Sequence, residues 1–195
     1  MQLNCMLFKR LTISLKESVA HRIFNISYIA FMPSLTKDHL IVKQICISIF
    51  AIFLGSQITE GFLLVPFWQS LPAEEFYAYY GKFGPAIGRF YTILTVIAAL
   101  LPITIATNYL IKRRDGIAYA MVSAIFAVLF ILCFYVYFKS ANDLFYTSAL
   151  DEIELSKELV VWNYWHWGRI VLEVVSLVFL ILAFDKSVVS KNPSS

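Results

Sequence analysis

Four long, unbroken apolar windows constrain this chain more than any other feature. They run from about Ile45 to Phe67, Ala86 to Ile111, Ile117 to Phe138 and Trp165 to Phe184. A helix crosses a hydrocarbon core of roughly 30 Å with about 20 mostly apolar residues, so each window is long enough to span a bilayer. Helix is the expected form, because backbone polar groups in lipid must be satisfied within their own segment. The windows are continuous runs and lack the alternation of barrel strands. The expected fold is therefore all-α: a four-helix transmembrane bundle with a short interfacial helix after span one. Composition agrees. Apolar residues are 59% of the 195 and charged residues 15%, against about 45–50% and about 25% in soluble domains. A net charge of +3 and the absence of a basic run among exposed aromatics exclude a nucleic-acid partner.

The chain divides into a basic amphipathic segment (1–41), a four-span membrane domain (42–186) and a flexible tail (187–195). The first segment repeats Leu7, Leu11, Leu15, Val19 and Ile23 between Lys9, Arg10, Lys16 and Arg22. It reads as an interfacial helix, as a transit-like sequence, or as a stretch upstream of a start at Met32. Basic residues orient the spans. Eleven lie in residues 1–43, the 112–116 turn and residues 186–195, against three in the other two connections. Both termini and the 112–116 turn are thus expected on the cytoplasmic side. Localisation is integral to a membrane, with a bacterial plasma membrane as the default. Gly84-Pro85-Ala86-Ile87-Gly88 reads as a helix-packing G-x-x-x-G. Pro102 is expected to kink span two. Cys5, Cys46 and Cys133 are too scattered for a redox pair or a zinc knuckle, and read as small buried hydrophobes.

Charged groups inside a span are costly and need a reason. Glu60 lies seven residues before the end of span one, and Arg89 three residues into span two. Span four carries His166, Arg169 and Glu173. Trp162, His166, Arg169 and Glu173 are spaced 4, 3 and 4, which puts them on one helix face. That face should point into the bundle, with Arg169 and Glu173 paired at i, i+4 and Arg89 as the partner of Glu60. The plainer reading is an aromatic belt at Trp162, Trp165 and Trp167 with a snorkelling Arg89. Ser70 is a candidate cap for the short helix after span one, and Ser148-Ala149-Leu150-Asp151 a candidate capping box before span four. Asn142 is placed to cap a helix or line the mouth of a cavity. A variant site of His166, Glu60 and Glu173 around a metal is also open, although the donor set has one histidine.

These residues carry a resemblance. Glu60-Gly-Phe-Leu-Leu-Val-Pro66 closes span one, Leu71-Pro-x-x-x-Phe76 follows, Asn142-Asp143-Leu144 comes after span three, and Trp162-x-x-x-His166-x-x-Arg169 opens span four. Over about residues 45–184 the chain resembles the anthrone-oxygenase-like family of small four-span membrane proteins. It departs from that pattern at Ser140-Ala141, where a proline is usual, and in its strongly aromatic 68–85 connection. The resemblance implies cofactor-independent oxygenation of an activated aromatic methylene. Asn142, Trp162, His166 and Arg169 would form the site, His166 acting as base and Arg169 holding the oxyanion.

Three functions compete. The first is a membrane oxygenase on a hydrophobic aromatic or quinone-like molecule, with catalytic His166, Arg169 and Glu60, and with Trp162, Asn142, Arg89 and Glu173 binding substrate. No cofactor or metal is called for. The second is a small proton-coupled carrier relaying through Glu60 and Glu173. The third is a non-catalytic subunit or assembly factor. Expected partners are the bilayer, a hydrophobic small molecule, and further copies or a larger membrane complex.

Overall fold

The computed structural model describes residues 40–189. The basic amphipathic stretch before residue 40, with Cys5 and Met32, and residues 190–195 lie outside the described residues. The chain divides into two compact units, Met1–Gln44 and Ile45–Ser195. The described part of the first, residues 40–44, is helical. The second holds the bundle.

Every regular element among the described residues is a helix. Four are long and apolar enough to cross a membrane: α1 (Leu40–Gln69), α2 (Ala73–Ile111), α3 (Ile117–Tyr146) and α4 (Glu152–Val189). Each is longer than the apolar window that predicts it, because polar ends extend the rods. Residues expected as a separate short helix after span one are helical, but they run without a break into α2. Pro85 removes one N–H near that join, and the helix continues through it and through Pro102. At the other end, α4 continues through Ser187 into the stretch expected as a tail. Ser187 is buried and receives a hydrogen bond from the Tyr109 hydroxyl at 3.0 Å.

The helix starts are held differently from the sequence expectation. The Ser70 hydroxyl bonds to the Phe67 carbonyl, and Pro72 stands at the cap position of α2. The orphan Ala73 N–H donates to Glu152 Oε2 at 2.8 Å, so a residue of α4 caps α2. The capping box of α4 lies three residues later than expected. Asp151 Oδ1 accepts from the N–H groups of Ile153 and Glu154, while the Asp151 N–H donates back to Glu154 Oε2. Ser148 adopts a positive φ of 51° and so belongs to the turn. The α2–α3 turn closes with Gly116 at φ 90°. A Cβ there would stand 2.6 Å from the Ala183 carbonyl oxygen, so the turn lies directly on α4 and requires glycine.

Two π turns interrupt the rods, Glu60–Leu64 in α1 and Phe134–Phe138 in α3. Each inserts one residue and shifts the buried stripe. In α1 the buried positions run Cys46, Phe50, Phe53, Gln57 and Glu60, then take in the adjacent Gly61 and continue to Val65 and Trp68, a register shifted by one. In α3 the stripe Ala120, Ser123, Ala127, Phe130 resumes only at Phe138, Ala141 and Phe145. The stripe of α2 also has a gap: no residue between Gly84 and Ala98 is buried. These interruptions coincide at one level of the bundle.

Two apolar clusters flank that level. One lies at the end that carries the 70–72 and 147–151 connections, around Trp68, Phe76, Phe145, Leu155 and Trp162. The other is built from Phe50, Phe53, Phe130, Leu180 and Phe184. Ser123 and Ser176 tie α3 to α4 by reciprocal hydroxyl-to-carbonyl bonds of 2.7 and 2.9 Å. Cys46 and Cys133 are free thiols.

Candidate functional site

The 4-3-4 face of α4 points inward, as its spacing predicts. His166 and Glu173 are 0% exposed, Glu60 5% and Arg169 9%. Arg169 is the hub. Its Nη2 lies 3.8 Å from Glu60 Oε2 on one side, and its Nε lies 3.6 Å from Glu173 Oε1 on the other. Nη2 also donates to Gln57 Oε1 at 2.7 Å and to His166 Nδ1 at 3.2 Å. The guanidinium carbon sits 4.6 Å from the ring centre of Phe138, within cation–π range.

These contacts assign the histidine tautomer. His166 Nε2 is 2.9 Å from the Gln57 carbonyl, which can only accept, so Nε2 carries the hydrogen. A guanidinium can only donate, so Nδ1 presents its lone pair to Arg169. Both ring nitrogens are therefore committed to protein partners. Trp162 stacks on the imidazole, with ring centres 5.1 Å apart and planes 14° from parallel. The Trp162 Nε1–H donates to Asn142 Oδ1 at 3.2 Å, which fixes the indole and links α4 to α3.

Gly61 makes this approach of α1 to α4 feasible. A Cβ on it would stand 3.0 Å from Trp167 Cζ2 and 3.1 Å from His166 Cδ2. Gly61→Val is expected to push the imidazole off the Gln57 carbonyl and cost about 1–3 kcal/mol, as over-packing does. Thermal unfolding in detergent would register this as a lower midpoint. A midpoint equal to wild type would mean that the two helices are not in close contact here.

A cavity of about 360 Å³ lies in the seam between α2 and α3, where the buried stripes are interrupted. Glu60 and Arg169 reach it from α1 and α4. Its remaining wall is largely aromatic, including Trp68, Tyr91, Phe134 and Trp162, with Asn142 towards the loops. Gly88, Thr92, Val96, Phe134 and Tyr135 line it and are also exposed on the outer face of the bundle, so the cavity opens sideways between the two helices. Gly84 and Gly88 accordingly serve a side chain and not a helix backbone. Added Cβ atoms there would meet the Tyr146 ring at 3.3 Å and its hydroxyl at 3.5 Å. The G-x-x-x-G reading is corrected to that extent.

Four further corrections concern the predicted site. Arg89 is exposed, lies outside the cavity wall and makes no ion pair with Glu60; the Arg169 guanidinium is the cation beside that carboxylate. Glu173 is sealed behind Arg169, and neither of its oxygens has a hydrogen-bond partner, so it cannot touch a cavity ligand. His166 is likewise absent from the cavity wall. Among the described residues no group of three His, Cys, Asp or Glu side chains converges to hold a metal ion, because Arg169 separates Glu60 from Glu173. Gln57 is the residue that sequence reasoning missed. It is fully buried and bonds to both His166 and Arg169. Its only signal was an uncharged polar side chain one turn before Glu60 in an apolar run.

Family models, curated proteins and solved structures were all compared with the chain, and none matches it.

Proposed function

We propose that this multi-pass membrane protein is a cofactor-independent oxygenase of the anthrone-oxygenase type, acting on a flat apolar molecule that enters the cavity from the lipid. The observation that carries the reading is one carboxylate and one guanidinium side by side on the wall of an aromatic cavity: Glu60 and Arg169, 3.8 Å apart. Glu60 is the base. Its carboxylate makes no hydrogen bond among the described residues, unlike His166, whose lone pair is already given to Arg169. A proton leaves an activated methylene for Glu60, and the resulting anion is delocalised onto the ring ketone oxygen, where Arg169 stabilises it. The carbanion transfers an electron to dioxygen, and the two radicals join as a peroxide. Loss of water leaves a second carbonyl. In sum one methylene and one dioxygen give one carbonyl and one water. His166, Gln57 and Trp162 are positioning residues that hold the guanidinium. Asn142 acts through Trp162.

A carrier would need a polar path to the far end of the bundle. Phe50, Phe53, Phe130 and Leu180 are each fully buried across that path, which favours a closed-ended site. The test is dioxygen uptake by the full chain in lipid nanodiscs supplied with anthrone. Uptake should exceed that of empty discs and yield the quinone in equal amount. Uptake equal to that of empty discs would overturn the reading.

A further inference from the structure

Beside the cavity, on the outer face of α2, lies a second depression lined by Pro85, Gly88, Arg89, Thr92, Ile93 and Tyr146. Gly88, Thr92 and Tyr146 line both spaces, so the two adjoin at the lateral opening. Gly88 is the thinnest part of that partition, since it carries no side chain. Arg89 is exposed, and the large residues exposed around it, Phe90, Ile93, Val96 and Ile97, are apolar. Among the described residues no carboxylate lies within ion-pair distance of it. It stands about 33 Å along α2 from Ile111, near one boundary of a hydrocarbon core of roughly 30 Å. The depression beside this guanidinium is open to an anionic group, and none of the described carboxylates fills it. Tyr146 packs on Tyr80 with ring centres 4.9 Å apart, which holds its ring beside Gly88.

We propose that Arg89 binds the acidic group of an amphiphilic aromatic ligand whose ring system enters the cavity through the opening between α2 and α3. The inference rests on the cavity being an aromatic site and narrows its ligands to acids. A planar carboxylate suits the guanidinium fork. The separation of functions is chemical: Arg89 reads the acid at the lip, and Glu60 with Arg169 meets the ring system within.

The experiment uses two probes, 9-anthracenecarboxylate and its methyl ester, titrated by fluorescence into the full chain in phosphatidylcholine nanodiscs. Wild type should bind the acid about tenfold more tightly than the ester, the effect of one charge-assisted contact. Arg89→Gln should bring the acid to the ester's affinity and leave the ester unchanged, and Arg89→Lys should keep part of the preference. Equal affinity of the two probes for wild type, or a preference intact in Arg89→Gln, would overturn the inference while leaving the aromatic site standing. Binding of neither probe would overturn both. Replacing a third of the lipid with phosphatidylglycerol distinguishes the source of the acid. A wild-type to Arg89→Gln ratio that persists supports the ligand, whereas a ratio that collapses assigns Arg89 to lipid headgroups and overturns the proposal.

Discussion

Arg169→Met is expected to lower stability by about 3–5 kcal/mol, the penalty for stripping the partner from a buried ion pair. The cause is specific. Arg169 faces Glu60 at 3.8 Å and Glu173 at 3.6 Å from opposite sides, and both carboxylates are buried. Removing the guanidinium leaves two acids in a low-dielectric interior, and leaves Gln57 Oε1 and His166 Nδ1 without their donor. Neutralising the acids as well, in Arg169→Met/Glu60→Gln/Glu173→Gln, should restore most of the loss, because apolar or neutral replacements of a whole buried ionic cluster are often tolerated. Arg169→Lys should fall between, since an ammonium keeps the charge and loses the fork. Denaturant titration in detergent measures all three. An Arg169→Met protein as stable as wild type would contradict the described cluster.

Glu60→Gln is expected to lower turnover by about 10²- to 10⁴-fold, the usual contribution of a general base, with the unfolding midpoint lowered less than in Arg169→Met because Glu173 still faces the guanidinium. The substitution is isosteric, and among the described residues the carboxylate accepts no hydrogen bond that an amide would break. His166→Ala should behave differently. Turnover falls because the guanidinium loses a positioning partner, and the midpoint falls too, because the Gln57 carbonyl loses its donor. If Glu60→Gln turned over normally and His166→Ala did not, the base would be the histidine.

The four rods were legible because hydrocarbon thickness dictates window length, and the inward face of α4 because 4-3-4 spacing admits only one direction. Glu60 and Arg169 were legible for a related reason: a charge in lipid must find a partner, and these two stand at similar depth on neighbouring helices. Pairing Arg89 with Glu60 failed on direction. α2 presents Arg89 outward and Ile87 and Tyr91 towards the cavity. The π turns had no readable signal, since an extra residue in a turn shows only when the buried stripe is seen to take in two neighbours, Glu60 and Gly61. The cavity itself follows from those jumps and from Gly84 and Gly88, and glycine in a span reads first as a packing contact. Gln57 was passed over because an uncharged amide in an apolar run raises less alarm than a carboxylate. Yet it takes the bond from Arg169 Nη2 at 2.7 Å.

The most direct measurement of the central claim omits oxygen altogether. Anthrone in deuterated buffer, held anaerobically with the full chain in nanodiscs, exchanges its methylene hydrogens whenever a base removes one. Mass spectrometry should show exchange well above the rate in empty discs for wild type, and at the empty-disc rate for Glu60→Gln. Exchange no faster with the protein than without it would mean that the carboxylate in the cavity is not a base towards such a ligand.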